Sequence, residues 1–175
     1  MIDLGLKLGS KDTQHTGEIR KLYEEGVFQY IELFAITGTF GDTINYWKQF
    51  DIPFGIHAPH SAAGLNLANS DARNENKLKI AESYKFADSL KADYVIFHCG
   101  VNGKIEEACN QLKPFSDSRM LIENKPLRGL DGSICVGYSF EELKSAIDEL
   151  KCGFVLDFGH AICAANSMKK EPLSY

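Results

Sequence analysis

The sequence lacks several features, and each absence excludes a class of protein. No apolar run among its 175 residues approaches the roughly 20 residues of a membrane-spanning helix, so we expect no membrane partner. The first residues carry no basic region followed by an apolar one, so no signal peptide is evident and we expect a cytoplasmic protein. Basic residues are not in excess: 19 Lys and Arg against 24 Asp and Glu give a formal charge of −5. That balance excludes nucleic-acid binding through an overall positive field, but not through a local basic groove.

Cysteine pairs with C-x-x-C spacing are also absent. The five cysteines are odd in number and scattered along the chain, at Cys99, Cys109, Cys135, Cys152 and Cys163. We interpret them as reduced thiols that pack as small hydrophobic side chains in a reducing compartment. A zinc site made of cysteines is therefore not expected.

What the sequence does contain is an alternation of short apolar runs with longer amphipathic stretches, which is typical of βα units. With 44% apolar residues, the length suits one globular domain. We predict six strands, at residues 2–8, 30–36, 53–56, 94–97, 120–122 and 154–156. Five helices are predicted between them, at residues 16–25, 43–50, 75–91, 105–112 and 140–150. Ser139 fits the N-cap of the last helix, because Glu142 follows three residues later.

Strands that are joined by helices must pair in parallel. Four of the five histidines and two carboxylates follow predicted strands, namely His57, His60, His98, His160, Glu123 and Asp157. All strand ends of a parallel barrel open onto one face, whereas an open sheet spaces them along an edge at about 4.8 Å per strand. We therefore predict an α/β fold of the TIM (β/α) barrel type.

The length of the chain sets a second expectation. A complete barrel of eight βα units takes about 250 residues, whereas this sequence ends after the sixth predicted strand and the beginning of a sixth helix. We expect a barrel that lacks its last two βα units. Either a missing C-terminal segment or a second subunit in a homo-oligomer would cover the open edge, because an uncovered edge promotes aggregation.

The residues after the strands have the chemistry of metal ligands, since imidazole and carboxylate together suit zinc or a similar divalent ion. His57, His98 and Glu123 follow consecutive strands and would hold one ion. Asp157 would share Glu123 with a second ion, and His160 would bind a further ion or a substrate oxyanion. Two ions about 3.5–4 Å apart lower the pKa of a bridging water and stabilise the in-line transition state of phosphoester cleavage.

Four strings resemble, in order and spacing, signatures of the endonuclease IV branch of the xylose-isomerase-like TIM barrels: IHAPH at 56–60, FHCG at 97–100, IEN at 122–124 and LDFGHA at 156–161. The segment GLNLA at 64–68 is also similar, and the resemblance runs from about residue 53 to 165. It implies that the residues 1–175 form one such domain. It also implies up to three zinc ions and cleavage of the phosphodiester 5′ to an abasic site, as in DNA repair. The implied ligands are His57, His98, Glu123, Asp157 and His160.

Three features differ from the pattern of the repair enzymes. His60 and Ser61 stand where those enzymes have a tyrosine and a bulky apolar residue that wedge into the DNA stack. The loop at residues 37–42 has no arginine that would enter the duplex. The ligands that the family carries on strands seven and eight have no counterpart in this sequence, so a non-catalytic binding module is a third possibility.

The same superfamily contains sugar and sugar-phosphate isomerases and epimerases that use one Zn²⁺, Mn²⁺ or Mg²⁺. Their ligands on the fifth and sixth strands match Glu123 and Asp157, and their common strand-two glutamate matches Glu32. The leading prediction is a metal-dependent hydrolase of abasic-site DNA, and the alternative is an isomerase or epimerase of a small sugar or sugar phosphate. Glu123 is the predicted catalytic residue, which in the alternative would move a proton. His60, Glu32 and Asn66 are the predicted substrate contacts.

Overall fold

Six parallel strands lie side by side in sequence order in the computed structural model, which describes residues 2–172. The strands are β1 Gly5–Gly9, β2 Tyr30–Phe34, β3 Phe54–His57, β4 Val95–Phe97, β5 Met120–Glu123 and β6 Gly153–Val155. The helices are α1 Thr16–Glu24, α2 Phe40–Trp47, α3 Arg73–Leu90, α4 Ile105–Leu112, α5 Phe140–Leu150 and α6 Phe158–Ser167. Short 3-10 turns occur at Ser61–Ala63, Ser70–Ala72 and Lys113–Phe115. Over the described residues β1 and β6 do not pair with each other, so the sheet is not closed.

The hydrophobic core lies between the helices and one face of the sheet. Alternate strand residues such as Leu33 and Phe97 are fully buried in one cluster with Ile80 and Phe86 of α3. Burying each such side chain stabilises the fold by about 1.5–3 kcal/mol. The residues of opposite parity point to the other face, where the polar side chains described below lie.

Close packing on the second face of the sheet explains why residue 55 is a glycine. A Cβ on Gly55 of β3 would collide with the ring of Tyr94, which stands beside it just before β4. Glycine lets the two strands pair while the tyrosine ring lies across them.

Two helices have the ends that the sequence predicted, and one of them, α5, has a local capping group. The limits predicted for α4 and α5 are confirmed. Ser139 accepts a hydrogen bond at Oγ from the Glu142 N–H at 3.3 Å, and the Glu142 carboxylate accepts one from the Gly137 N–H at 2.9 Å. The sequence signal for this cap is the Ser139–Glu142 pair, although the Glu142 carboxylate reaches back to Gly137 and not to Ser139.

The prediction for α2 was wrong by three residues at each end, since the helix spans Phe40–Trp47 and not 43–50. Its first turn is capped by a distant residue. The Glu82 carboxylate of α3 accepts hydrogen bonds from the Gly38 and Phe40 N–H groups, at 2.8 and 3.1 Å. A cap from a distant part of the chain leaves no local signal.

The first strand begins later than predicted, at Gly5 instead of residue 2. Leu4 is tied to Gln29 by two hydrogen bonds: its N–H donates to the glutamine side chain at 2.8 Å, and its carbonyl accepts from the Gln29 N–H at 2.8 Å. Ile2 is 86% exposed and lies outside the core. An apolar residue next to a strand was therefore mistaken for part of it.

The structure gives all five cysteines as free thiols. Cys99, Cys109 and Cys135 are buried, whereas Cys163 on α6 is exposed. Burial raises the pKa of the Cys99 thiol, which keeps it protonated and unreactive at neutral pH. Across residues 2–172 there is no helix with the length and apolar character needed to cross a membrane.

Candidate metal centre

The carboxyl ends of four neighbouring strands bring the predicted ligands together. His57 is the last residue of β3, His98 directly follows β4, and Glu123 is the last residue of β5. Asp157 lies just beyond β6 and is the N-cap of α6. Because parallel strands end at the same edge, residues far apart in sequence become neighbours there.

The first set of ligands, here called the inner group, consists of His57, His98 and Glu123. Glu123 lies between the two imidazoles: Oε2 is 3.3 Å from His57 Nε2, and Oε1 is 3.1 Å from His98 Nε2. One ligand atom from each residue lies within 4.8 Å of the others. The three side chains are 3–8% exposed, so they meet out of bulk water.

The ring of His57 is oriented by the backbone. Its Nδ1 lies 2.9 Å from the carbonyl oxygen of Ala58, the position of an N–H donor. In the tautomer with its N–H on Nδ1, the Nε2 lone pair faces the Glu123 carboxylate. Two electron-rich groups in this position are stabilised by a cation between them, and metal-binding histidines commonly donate their other N–H to a carbonyl.

His98 is a buried imidazole whose polar atoms are unsatisfied by protein groups. Neither ring nitrogen has a partner with hydrogen-bond geometry within the described chain, although Nε2 is close to Glu123. Burial lowers the pKa of His98 to about 4, so the ring is neutral at pH 7. An unsatisfied buried polar group costs about 1–3 kcal/mol. Coordination of a metal ion would remove that cost, so the donor set fits one.

The second set, the outer group, consists of Glu123, Asp157 and His160. His160 Nδ1 is 3.2 Å from Glu123 Oε1 and 3.6 Å from Asp157 Oδ2. One ligand atom of each residue again lies within 4.8 Å of the other two. The side chains of His160 and Asp157 are 28% and 39% exposed, so this group opens to solvent.

Asn124 holds the outer group in place. Its side chain donates to the Asp157 carbonyl at 2.9 Å and accepts from the Asp157 N–H at 2.7 Å. Its own carbonyl oxygen accepts from His160 Nδ1 at 2.9 Å. Asp157 Oδ1 is occupied by the His160 N–H at 2.7 Å as the cap of α6, which leaves Oδ2 toward the cluster.

Glu123 belongs to both groups, as the sequence predicted for a bridging carboxylate. Burial raises the pKa of Glu123, but the three imidazoles whose nitrogen atoms lie 3.1–3.3 Å from its carboxylate outweigh burial and hold the pKa well below its usual range. The hydrogen bond to Glu123 raises the pKa of His160. The carboxylate is therefore ionised and surrounded by nitrogen atoms.

The cluster lines an open cleft of about 440 Å³. His60, a predicted substrate contact, lies in its wall between two rings, with centroids 5.4 Å from Phe34 and 6.1 Å from His98. Burial lowers the pKa of His60. The remaining wall residues are Lys7, Phe34 and Lys125, which the sequence analysis did not assign to the site. The sequence signal that Lys7 faces the cleft is weak: it is one charged residue between two leucines in an apolar strand.

Two predicted substrate contacts do not line the cleft. Glu32 lies on β2 and pairs with Lys7, with Oε1 2.7 Å from Nζ. Asn66 braces a loop: its side chain accepts from the Val101 N–H at 2.9 Å and donates to the Val101 carbonyl at 3.1 Å. Both side chains already bond to protein groups. Their contact with a substrate stays a prediction.

Comparison with known proteins gave matches in three-dimensional structure. No protein-family model and no curated protein matches the chain. Endonuclease IV from Thermus thermophilus superposes with a TM-score of 0.69 at 21% identity, over 99% of this chain and 69% of that one. A 3-keto-D-glucoside 4-epimerase from E. coli gives 0.68 at 8% identity, over 97% and 76% of the two chains. A D-tagatose 3-epimerase-like protein gives 0.65 at 18% identity, over 99% and 70%.

These likenesses establish the fold. The prediction of a TIM (β/α) barrel fold with about six βα units is confirmed, with the sheet open across the described residues. The similar structures include a nuclease and two epimerase-type proteins. Because proteins of this fold include both a nuclease and epimerases, the fold does not decide between the two predicted reactions. That distinction depends on the side chains of the site.

Proposed function

We propose that this chain, which has the fold of endonuclease IV and of the sugar epimerases, is a cytoplasmic metal-dependent phosphoester hydrolase of the endonuclease IV type. The observation that carries the proposal is the position of Glu123 between two ligand groups. A carboxylate in this position can bridge two neighbouring ions, as a two-metal hydrolase would use it, whereas an enzyme with one ion has no use for a bridging carboxylate.

The donor set suits zinc, with Mn²⁺ or Mg²⁺ as alternatives. His57, His98 and Glu123 would hold one ion, and Glu123, Asp157 and His160 a second, while a third would complete the set of the full family site. Bound ions supply Lewis-acid activation of water and neutralise charge on a phosphoryl group. Burial keeps His98 neutral and available as a donor, and the low pKa of Glu123 keeps its carboxylate ionised.

The protein's own groups would position the substrate beside this centre. His60 presents a half-buried ring edge to the cleft, and Phe34 lies against both His57 and His60, which limits the access of water to that wall. Lys7 and Lys125 give this part of an acidic protein a local positive charge. We propose abasic-site DNA as the first substrate to test.

The test combines metal analysis with a cleavage assay. Protein purified without chelator is expected to contain at least two zinc ions per chain by elemental analysis. It should cleave a labelled duplex that contains a stable abasic-site analogue, and Glu123→Gln should lose both properties. Glu149→Gln, on the exposed surface of α5, is the matched control. Wild-type protein that holds the ions but leaves the abasic duplex intact would contradict the proposed substrate.

The size of the cleft and the charge of the chain favour a second candidate, a metal-dependent sugar or sugar-phosphate isomerase or epimerase. About 440 Å³ is in the range of a small-molecule pocket, and a formal charge of −5 opposes binding of a DNA polyanion. In this reaction Glu123 would move a proton at a carbon atom of the sugar. It predicts one ion per chain and metal-dependent exchange of solvent deuterium into the sugar, measured by mass spectrometry.

We also propose that another protein segment covers the edge of the sheet at β6. Phe154 and Leu156 in this region are 42% and 48% exposed, which is unusual for large apolar residues of a barrel strand and its end. A following βα unit of the same polypeptide, or a second subunit, would bury them. Mass measurement by light scattering separates these cases, since only the second gives a dimer of this chain.

A further inference from the structure

A lysine on the first strand faces the same cleft as the metal ligands. Lys7 lies between Leu6 and Leu8, which both pack on the hydrophobic core, so its own side chain is on the opposite face of the sheet. The register of β1 and β2 places it directly beside Glu32. The Lys7 side chain is 56% exposed and contributes to the wall of the cleft.

Glu32 holds Lys7 in place through an ion pair. Its carboxylate is 19% exposed and lies 2.7 Å from Lys7 Nζ. Tyr94 stands close by: burial raises the pKa of Tyr94, and so do the charge of Glu32 and a hydrogen bond to it. An ammonium group has three N–H donors, and Glu32 is its one carboxylate partner within the described residues. Donors remain for a group in the cleft.

A second lysine, Lys125, lies in the wall of the same cleft. Lys125 follows β5 by two residues, is only partly exposed and belongs to the same wall. Across residues 2–172 no carboxylate lies within ion-pair distance of its ammonium group. Besides burial, the charges of Lys125 and Lys7 both lower the pKa of His60, which lines the same cleft. A partly buried cation without a counter-ion favours an anionic ligand.

We propose that Lys7 and Lys125 form an anion subsite for a phosphate group of the substrate other than the group that reacts at the metal ligands. The proposal rests on the proposed function only in taking this cleft as the substrate site. It narrows the substrate to a compound that carries such a phosphate, either a sugar phosphate or a nucleic-acid strand. A neutral sugar would leave the Lys125 ammonium group without a counter-ion and the remaining N–H donors of Lys7 without an anionic acceptor.

The test uses protein stripped of metal with a chelator, so that phosphate cannot bind to zinc. Binding of inorganic phosphate is measured by ³¹P NMR titration. Wild-type protein is expected to bind, and Lys7→Met and Lys125→Met each to weaken binding about tenfold, the effect of one lost charge-assisted hydrogen bond. Lys11→Met, an exposed loop residue, should leave binding unchanged. Lys7→Arg retains the charge beside Glu32 and should retain binding.

The outcomes separate this proposal from the proposed function. No phosphate binding by the stripped wild type, or equal weakening by Lys11→Met, would overturn the subsite. Phosphate binding in a protein that takes up no zinc would support the subsite and remove the hydrolase. Circular dichroism checks that each variant is folded, and Lys125→Met provides the test if the loss of Lys7 unfolds β1. Ribose 5-phosphate and dimethyl phosphate are then compared as competitors of bound phosphate. Stronger competition by ribose 5-phosphate indicates a subsite for a phosphomonoester, and stronger competition by dimethyl phosphate indicates a subsite for the diester of a nucleic-acid backbone.

Discussion

The inner and outer ligand groups share Glu123 but lie in different surroundings. His57 and His98 are 3% and 7% exposed and lie at the carboxyl ends of β3 and β4, which have a strand on each side. Asp157 and His160 are 39% and 28% exposed and follow β6, the last strand of the described sheet. Buried ligands are held in place by packing on all sides, whereas ligands at an edge depend on a few hydrogen bonds. We therefore infer that the inner group binds its ion more tightly than the outer group.

The largest effect is expected from the residue that both groups use. Glu123→Gln replaces a charged bridging ligand with a neutral amide and should lower the zinc affinity of both groups by more than about 100-fold, because loss of a mere supporting residue already costs about 10–100-fold. Chelator competition measures the affinity, and Glu149→Gln is the control. Two zinc ions retained in Glu123→Gln would show that the carboxylate is not shared.

A pair of variants separates the two groups. His98→Ala should remove the tightly bound ion and leave a weakly bound one, because it takes a ligand from the inner group alone. Asp157→Asn should do the reverse, and asparagine retains the N-cap of α6. Zinc stoichiometry after dialysis against graded chelator concentrations gives the result.

Two outcomes would contradict this order of affinities. One is loss of the same ion in His98→Ala and Asp157→Asn, which would indicate a single metal site built from both groups. The other is a tight ion that survives in His98→Ala but not in Asp157→Asn. Thermal unfolding in excess chelator shows whether either variant is misfolded rather than deficient in metal.

A smaller effect is expected from the residue that supports the outer group. Asn124→Ala removes both side-chain hydrogen bonds to the Asp157 backbone and should weaken the second ion about 10–100-fold while the first is unchanged. Stepwise zinc titration followed by calorimetry resolves the two events. Equal weakening of both ions would mean that Asn124 supports the whole cluster.

The smallest effect lies outside both groups. Ser139→Ala removes the N-cap of α5 and should lower the free energy of unfolding by about 0.5–2 kcal/mol. Urea denaturation measures this change, with Ser118→Ala in an exposed loop as the control. Zinc content should be unaffected. A drop in zinc content would show that the end of β6 depends on the helix before it.

The features that the sequence predicts correctly are those with local signals. The limits of α4 and α5 follow from apolar spacing and from the cap at Ser139. The candidate ligands were predicted because histidines and carboxylates directly follow apolar strands; the structure brings them together, and their role as ligands stays a prediction. The start of α2 was missed because Glu82 caps it from another helix, and Lys7 was missed because a lone charge in a strand does not indicate what it faces.

The chain's local pattern of apolar and polar residues determined the alternation of strands and helices and the chemical type of the ligands. Strand order, register and neighbouring helices decided which of these side chains meet. They placed Glu123 within reach of three imidazoles, joined Lys7 to Glu32, and assigned Asn66 to a loop instead of the cleft. The physical reason is that helix and strand periodicity depends on neighbours within a few residues, whereas a distance of about 3 Å between side chains depends on how whole strands pair.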